Sequence, residues 1–249
     1  MANRPRFELG RRALLGLTAQ GLALGALGLA PFGARAQGAP LKIATIGAGR
    51  EGGALGTLFA KHGHPVMFSS RNPDQLKDLV ASAGPNAQAG SVAQAVGFGD
   101  VVLLVVPYTA IEQIGKDHGP ALAAKKLVMD VSNPIPRRDG EDFVKSVNDR
   151  GGAGVVTAKL LPGAKIVRAF NAIGYGRLSE ASAKPGSIGV PIAGDDQGAI
   201  AVASALIKEV GFEPVLVGGL AMGKYLVPGT PLAGEHSPAE IKQIAATLK

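Results

Sequence analysis

Gly47-Ala48-Gly49-Arg50-Glu51-Gly52 sets three glycines at a spacing suited to holding phosphate. The run before it, Leu41-Lys42-Ile43-Ala44-Thr45-Ile46, reads as a buried strand. After it, from Glu51 to Lys61, Ala54, Leu55, Leu58 and Phe59 recur on one helical face. In that setting Gly47 supplies a sharp turn and Gly49 lets backbone approach a pyrophosphate. Gly52 lets the helix pack against the strand. The helix start adds unpaired N–H groups and the positive end of a dipole. Three spaced glycines alone are weak evidence; a strand before and a helix after make them a dinucleotide fingerprint.

A second group refines the ligand. A site for an unphosphorylated ribose carries a carboxylate about 20 residues beyond the glycines, where it accepts from the 2′-hydroxyl. Here the second strand, Pro65 to Phe68, ends in Ser69-Ser70-Arg71-Asn72-Pro73 with no acid at its tip. Ser70 and Asn72 can donate hydrogen bonds, and the Arg71 fork can pair with a 2′-phosphate. Asp74 lies past Pro73, at the next helix start. The expected cofactor is therefore NADP(H), held by Gly47, Ala48, Gly49, Arg50, Glu51, Gly52, Ser70, Arg71 and Asn72.

Other reactive groups are few. The chain has no cysteine, which excludes disulfides, thiolate nucleophiles and iron–sulfur clusters. His62 and His64 are close, but they fall where a helix turns into a strand, and a metal site needs three or four convergent ligands. Asp195-Asp196 resembles a carboxylate pair, yet it stands just before the helix from Gln197, where helix capping is the better account. No metal site is expected.

These groups need a scaffold, and the pattern supplies one. Asp100 to Val106 is a continuous Val/Leu run between Gly99 and Pro107, typical of a parallel strand buried on both faces. Gln88-Ala89 is a short third strand, and Ser91 caps a helix over Val92 to Val96. A helix from Ala110 and a strand from Lys126 to Val131 complete a βαβαβ series. A helix from Gly140 to Asn148 follows. Strands at Lys165 to Phe170, Gly189 to Ala193 and Pro214 to Val217, with a helix from Gln197 to Val210, extend the same sheet. The fold class is α/β, a Rossmann-type, doubly wound and mostly parallel sheet forming a single domain.

Charge and hydropathy divide the chain. Of its 249 residues, the first 36 hold five arginines against Glu8 alone, which reduces an overall +7 to +3 for the remainder. That remainder has no basic stripe with interleaved aromatics, so nucleic acid is not an expected partner. Arg4 to Arg12, the uncharged run Ala13 to Ala30 and the Ala34-Arg35-Ala36 site read as a signal peptide over residues 1–36. Gly10-Arg11-Arg12-Ala13-Leu14-Leu15 resembles a twin-arginine signal, which carries folded proteins. The expectation is a periplasmic domain over 37–249 with a C-terminal extension, and no stable membrane span after cleavage.

Seven landmarks then carry a family resemblance. Ile46-Gly47-Ala48-Gly49, Ser70-Arg71-Asn72-Pro73, Val106-Pro107-Tyr108, Val131-Ser132-Asn133-Pro134, Ala169-Phe170-Asn171, Pro191-Ile192-Ala193-Gly194-Asp195-Asp196 and Gly218-Gly219-Leu220 stand in order over Leu41 to Leu232. The chain resembles the NADPH-dependent coenzyme F-420 reductases and their bacterial relatives, a group that includes the cytoplasmic domain of the STEAP metalloreductases. The resemblance implies hydride transfer between NADPH and a small-molecule acceptor, a flavin or a deazaflavin such as coenzyme F-420. It places Val106, Pro107, Tyr108 and Asn133 on the nucleotide, with Asn171 and Tyr108 as positioning residues beside the reacting rings. The chain departs at Asn171, where archaeal deazaflavin reductases carry His, and in the tail beyond Thr230-Pro231-Leu232. A homodimer stays open. So do two other functions: an exported nucleotide-binding protein without turnover, and an enzyme holding NADP as a prosthetic group.

Overall fold

The computed structural model describes residues 40–248, so the export signal read from residues 1–36 lies outside the described residues. In chain order the elements are β1 (Ile43–Ile46), α1 (Arg50–Lys61), β2 (Val66–Ser69), α2 (Lys77–Ala83), β3 (Ala87–Gly90), α3 (Val92–Phe98) and β4 (Val101–Leu104). Then come α4 (Ile111–Ala123), β5 (Leu127–Asp130), α5 (Pro136–Asp139), α6 (Glu141–Asp149), α7 (Ala153–Leu160) and β6 (Ile166–Arg168). The last are α8 (Tyr175–Ser182), β7 (Gly189–Gly194), α9 (Gln197–Glu209), β8 (Glu213–Gly218) and α10 (Pro238–Ala246). Short 3₁₀ turns occupy Pro73–Leu76, Tyr108–Ala110 and Leu220–Tyr225.

The eight strands form one sheet in the order β3-β2-β1-β4-β5-β6-β7-β8. All neighbouring pairs are parallel except β6 with β7. Residues alternate between two cores, as a period of two requires. Val101 and Leu103 of β4 join Leu55 and Phe59 of α1 on one face. Val102 and Leu104 join Ile111 of α4 and Val156 of α7 on the other. Helices cover both faces, which accounts for apolar runs without polar interruption. Strand order reverses between β1 and β4, so the ends of these strands open a crevice in which such sheets bind ligands.

The expected β1, β4, β5 and β6 run longer than the observed strands, whereas β3, β7 and β8 extend a residue or two beyond expectation. Val105 N still donates to Ile46 O at 2.9 Å and Val131 N to Leu104 O at 3.0 Å, but the chain then leaves the pleat for the crevice. Helices α7 and α8 were not anticipated. Ala153-Gly154-Val155-Val156-Thr157 is a poor helix sequence by propensity. Tertiary packing decides it: a Cβ on Gly154 would stand 2.4 Å from Leu220 O, so the glycine admits the neighbouring 3₁₀ turn. Glycines 174 and 176 likewise hide α8. No helix among the described residues is long and apolar enough to cross a membrane.

Caps came out as the side chains suggested. Ser91 Oγ accepts from Gln94 N while Gln94 Oε1 accepts from Ser91 N, a complete capping box. Ser91→Ala is expected to lower unfolding free energy by about 1 kcal/mol, read as a shift in urea midpoint at unchanged slope. Asp196 accepts from Ala199 N at 2.7 Å, and Asp195 from Leu220 N at 3.1 Å. Both carboxylates of that pair therefore serve backbone N–H groups.

Candidate functional site

Two cavities run along the carboxyl ends of the strands and share Gly49, Val106 and Pro107. The larger, about 940 Å³, reaches from the glycine loop to Ser70 and Arg71 and is bounded across by α4. The smaller, about 250 Å³, holds Glu51, Ser132, Asn133, Arg138 and Asn171. A third, of about 440 Å³, lies between α1, α2 and α8 and contains none of the polar groups at the ends of β4 and β5. The first two together make an elongated crevice with the glycine loop at its middle.

The three glycines divide their work as the spacing implies. Gly47 has φ +97°, and a Cβ there would lie 2.2 Å from Val105 O. A Cβ on Gly52 would lie 2.0 Å from Gly47 O. Both are demanded by the fold itself. A Cβ on Gly49 meets nothing within 4 Å, so the space above that residue is open. As the residue before α1, with extended backbone, Gly49 turns the free N–H groups of the first helical turn toward that opening.

At the β2 end, Ser69 Oγ donates to Thr45 O, and Ser70 Oγ accepts from Asn72 N at 3.1 Å. That turn leaves Arg71 exposed on the rim of the larger cavity. No acidic side chain lines this end; the cavity's one carboxylate, Asp117, comes from α4.

The floor of the smaller cavity is a buried polar network. Arg168 and Asp130 are both fully buried and pair at 2.6 Å. The Arg168 stem passes between Gly154 and Gly223, where added Cβ atoms would stand 3.0 and 2.5 Å from its Cδ. Its guanidinium also donates to Ser132 O and Asn133 Oδ1. Asp130 accepts from Thr157 Oγ1 and Ser132 N. Ser132 Oγ in turn donates to Leu104 O and accepts from Val106 N, tying the β5 end to the β4 end.

Asn171 sits on this floor. Its Nδ2 donates to Asp130 O and Ser132 O, its backbone oxygen accepts from Asn133 Nδ2, and its Oδ1 is buried without a partner. Phe170, just before it, has φ 59°, a left-handed conformation that costs a bulky side chain on the order of 1–3 kcal/mol. The twist sends Phe170 into the core, edge-on to Phe212, and leaves Asn171 on the crevice.

Tyr108 departs from expectation. It is 1% exposed and lines neither crevice cavity; its hydroxyl donates to Ala153 O at 2.5 Å and meets Thr157 Oγ1 at 3.0 Å. The 3₁₀ turn after Pro107 rotates the ring under the sheet, where burial and then the Asp130 charge push the phenol above its ordinary range. Tyr108 therefore holds the network from below instead of facing the crevice. His62 and His64 also serve separate partners, Leu58 O for the first, Leu41 O and Glu209 for the second.

One residue escaped the sequence reading. Arg168 lies inside the expected strand Lys165 to Phe170 and was not singled out, though its apolar neighbours Ile166, Val167 and Ala169 hinted at burial. Glu51, expected among the cofactor-holding residues, accepts from Tyr175 N through Oε2, while Oε1 is buried and unpartnered, a setting the sequence did not disclose. Burial pushes its carboxyl up to about 7 against that hydrogen bond.

Residues 42–134 match the family described as NADP oxidoreductase, coenzyme F420-dependent. Metalloreductase STEAP3 of Rattus norvegicus is 28% identical over 189 residues, 74% of this chain and 35% of the relative. A glycerol-3-phosphate dehydrogenase [NAD(P)+] of Staphylococcus epidermidis is 28% identical over 135 residues, 47% of this chain and 40% of the relative. The chain thus spans well under half the length of these curated relatives. Among solved structures, a hypothetical protein of Sinorhizobium meliloti superposes with a TM-score of 0.61 at 26% identity, covering 80% of this chain and 95% of that one. A chain of Arthrobacter sp. FB24 assigned to the F420-dependent NADP reductases gives 0.64 at 21% identity, covering 74% and 87%. Residues 42–134, which carry the glycine loop, the β2 tip and the ends of β4 and β5, therefore match the family described as NADP oxidoreductase, coenzyme F420-dependent, and the described residues adopt a Rossmann-type α/β fold.

Proposed function

We propose that the chain is an NADP-dependent oxidoreductase that passes hydride between NADPH and a flavin or deazaflavin acceptor. The observation that carries the reading is the elongated crevice, with a phosphate-binding loop at its middle, Arg71 at one end and the Asn133–Asn171 floor at the other. The residues fit the cofactor on three counts. Open space above Gly49 suits a pyrophosphate. The exposed Arg71 suits a 2′-phosphate. The unpartnered Asn171 Oδ1 suits a donor such as a primary carboxamide.

A bound NADPH supplies the hydride; the protein's work is placement and exclusion of water. The first turn of α1 neutralises phosphate charge with backbone N–H groups. Asn133 and Asn171, locked by the Asp130–Arg168 pair, fix the orientation of whatever enters the smaller cavity. The match of residues 42–134 to the coenzyme F420-dependent family supports the choice of a flavin or deazaflavin acceptor.

Arg71→Ala is expected to weaken NADPH binding by about 1–3 kcal/mol, the worth of a hydrogen bond to a charged group. NADH, which lacks the 2′-phosphate, should bind with nearly unchanged affinity. Titration of the purified protein by nucleotide fluorescence checks this, and equal losses for both nucleotides would remove Arg71 from the site. Oxidation of bound NADPH on adding a flavin or deazaflavin tests turnover; no oxidation by either would leave a binding protein.

A further inference from the structure

Three buried side-chain oxygens lack a partner among the described residues, and two of them, Asn171 Oδ1 and Glu51 Oε1, belong to the same small cavity. Asn171 is 6% exposed, so its free oxygen has no access to bulk water in compensation. Glu51 is fixed from the other side, because Tyr175 N donates to its Oε2 at 3.0 Å. A carboxyl group thus stands at the end of the crevice that the proposed function gives to the nicotinamide.

Resting on that reading, we infer that Glu51 sets the cleft's preference between the two redox forms, its carboxylate favouring the oxidised nucleotide. The chemistry is one of charge. The oxidised nicotinamide ring is a cation and the reduced ring is neutral, while phosphates and ribose are common to both. A carboxylate in this cavity therefore attracts only the oxidised form, and a neutral carboxyl attracts neither.

The surrounding charges leave Glu51 free to play this part. Arg50, its neighbour on α1, is turned to the Tyr175 hydroxyl at 3.3 Å and stacks over that ring. Arg138, across the cavity from α5, pairs with Asp139 and donates to Asn133 O. From α8, Arg177 pairs with Glu180 and Glu235. Beneath the floor, Arg168 and Asp130 close on each other. None of these cations is bonded to Glu51. Burial holds the carboxyl at about 7, so it changes charge within the working range of most enzymes. Bound pyrophosphate raises that midpoint further, for both redox forms alike.

The sign follows directly. Above the midpoint Glu51 is charged and the oxidised form gains; below it the gain is lost. Unit charges a few ångströms apart in a partly desolvated cavity shift affinity by about ten-fold or more. The experiment measures dissociation constants of NADP⁺ and NADPH between about pH 6 and 9, for wild type and for Glu51→Gln, which keeps an acceptor for Tyr175 N. The 2′-phosphate ionises near the lower limit, but it cancels in the ratio of the two constants. The preference for NADP⁺ over NADPH should rise about ten-fold with pH in the wild type and stay flat in Glu51→Gln. A flat wild-type ratio, or the same slope in both proteins, overturns the inference while leaving the nucleotide site intact. Failure of wild type to bind either nucleotide overturns both.

Discussion

Asp130→Ala is expected to cost about 3–5 kcal/mol of unfolding free energy, because it leaves the Arg168 guanidinium buried and unpaired. Both side chains are fully buried, so no water can replace the lost carboxylate without opening the floor of the crevice. Ser132 N and Thr157 Oγ1 lose their acceptor at the same time. Against a typical stability of about 5–15 kcal/mol, that is a large share. Arg168→Met alone should be comparably severe, since Asp130 is then the stranded charge. The double variant Asp130→Leu with Arg168→Met separates the causes. It removes both charges, and replacing a whole buried pair by apolar side chains is often close to neutral. Some loss should persist, because Ser132 N and Thr157 Oγ1 lose the Asp130 carboxylate as acceptor and Asn133 Oδ1 loses the Arg168 guanidinium. Urea unfolding of the four proteins measures this. A double variant no more stable than either single would show that packing of the Arg168 stem between Gly154 and Gly223, not charge, carries the stability.

The same network marks the limit of what the sequence tells. The glycine loop was legible because its function is backbone geometry, and geometry is written in glycines: Gly47 and Gly52 have no room for a Cβ. The β2 tip was legible through the lack of a carboxylate, and the strands through uninterrupted apolar runs. Tyr108 was misplaced because its landmark, Val106-Pro107-Tyr108, gives position along the chain but not the rotation of the turn. Arg168 was missed because burial of a charge depends on a partner 38 residues away, and no local pattern encodes that pairing. Glu51 was read as a cofactor-holding residue of the glycine loop, but its fixed carboxyl was not legible, because the bond that holds it comes from Tyr175 N, 124 residues further on. What escaped is side-chain pairing across long sequence separations, and this is what shapes the reacting end of the crevice.

Asn171→Ala is expected to slow hydride transfer by about 100-fold, the order of loss when a reacting group is misplaced by about an ångström. The Asn171 amide does not ionise and so is no general acid or base; its contribution is orientation. Its Nδ2 is committed to two backbone carbonyls, Asp130 O and Ser132 O, which fixes the amide plane and leaves Oδ1 as the one acceptor it offers to the crevice. Truncation removes that acceptor and also frees both carbonyls. The phosphate-binding loop lies on α1 and Arg71 on the β2 tip, so neither is disturbed, and NADPH affinity should stay within a few-fold. Asn171→Asp tests the donor side: a carboxylate keeps the outward oxygen but cannot donate to the two carbonyls, so its orientation is lost and the rate should fall at least as far. Asn171→His, the residue of the archaeal enzymes this chain resembles, retains a ring N–H and should keep more activity than the Ala variant. Stopped-flow oxidation of bound NADPH by a flavin or deazaflavin separates the chemical step from binding. Unchanged rates in the Ala and Asp variants would take Asn171 out of the reacting end of the crevice and leave the strained Phe170 turn without a functional reason.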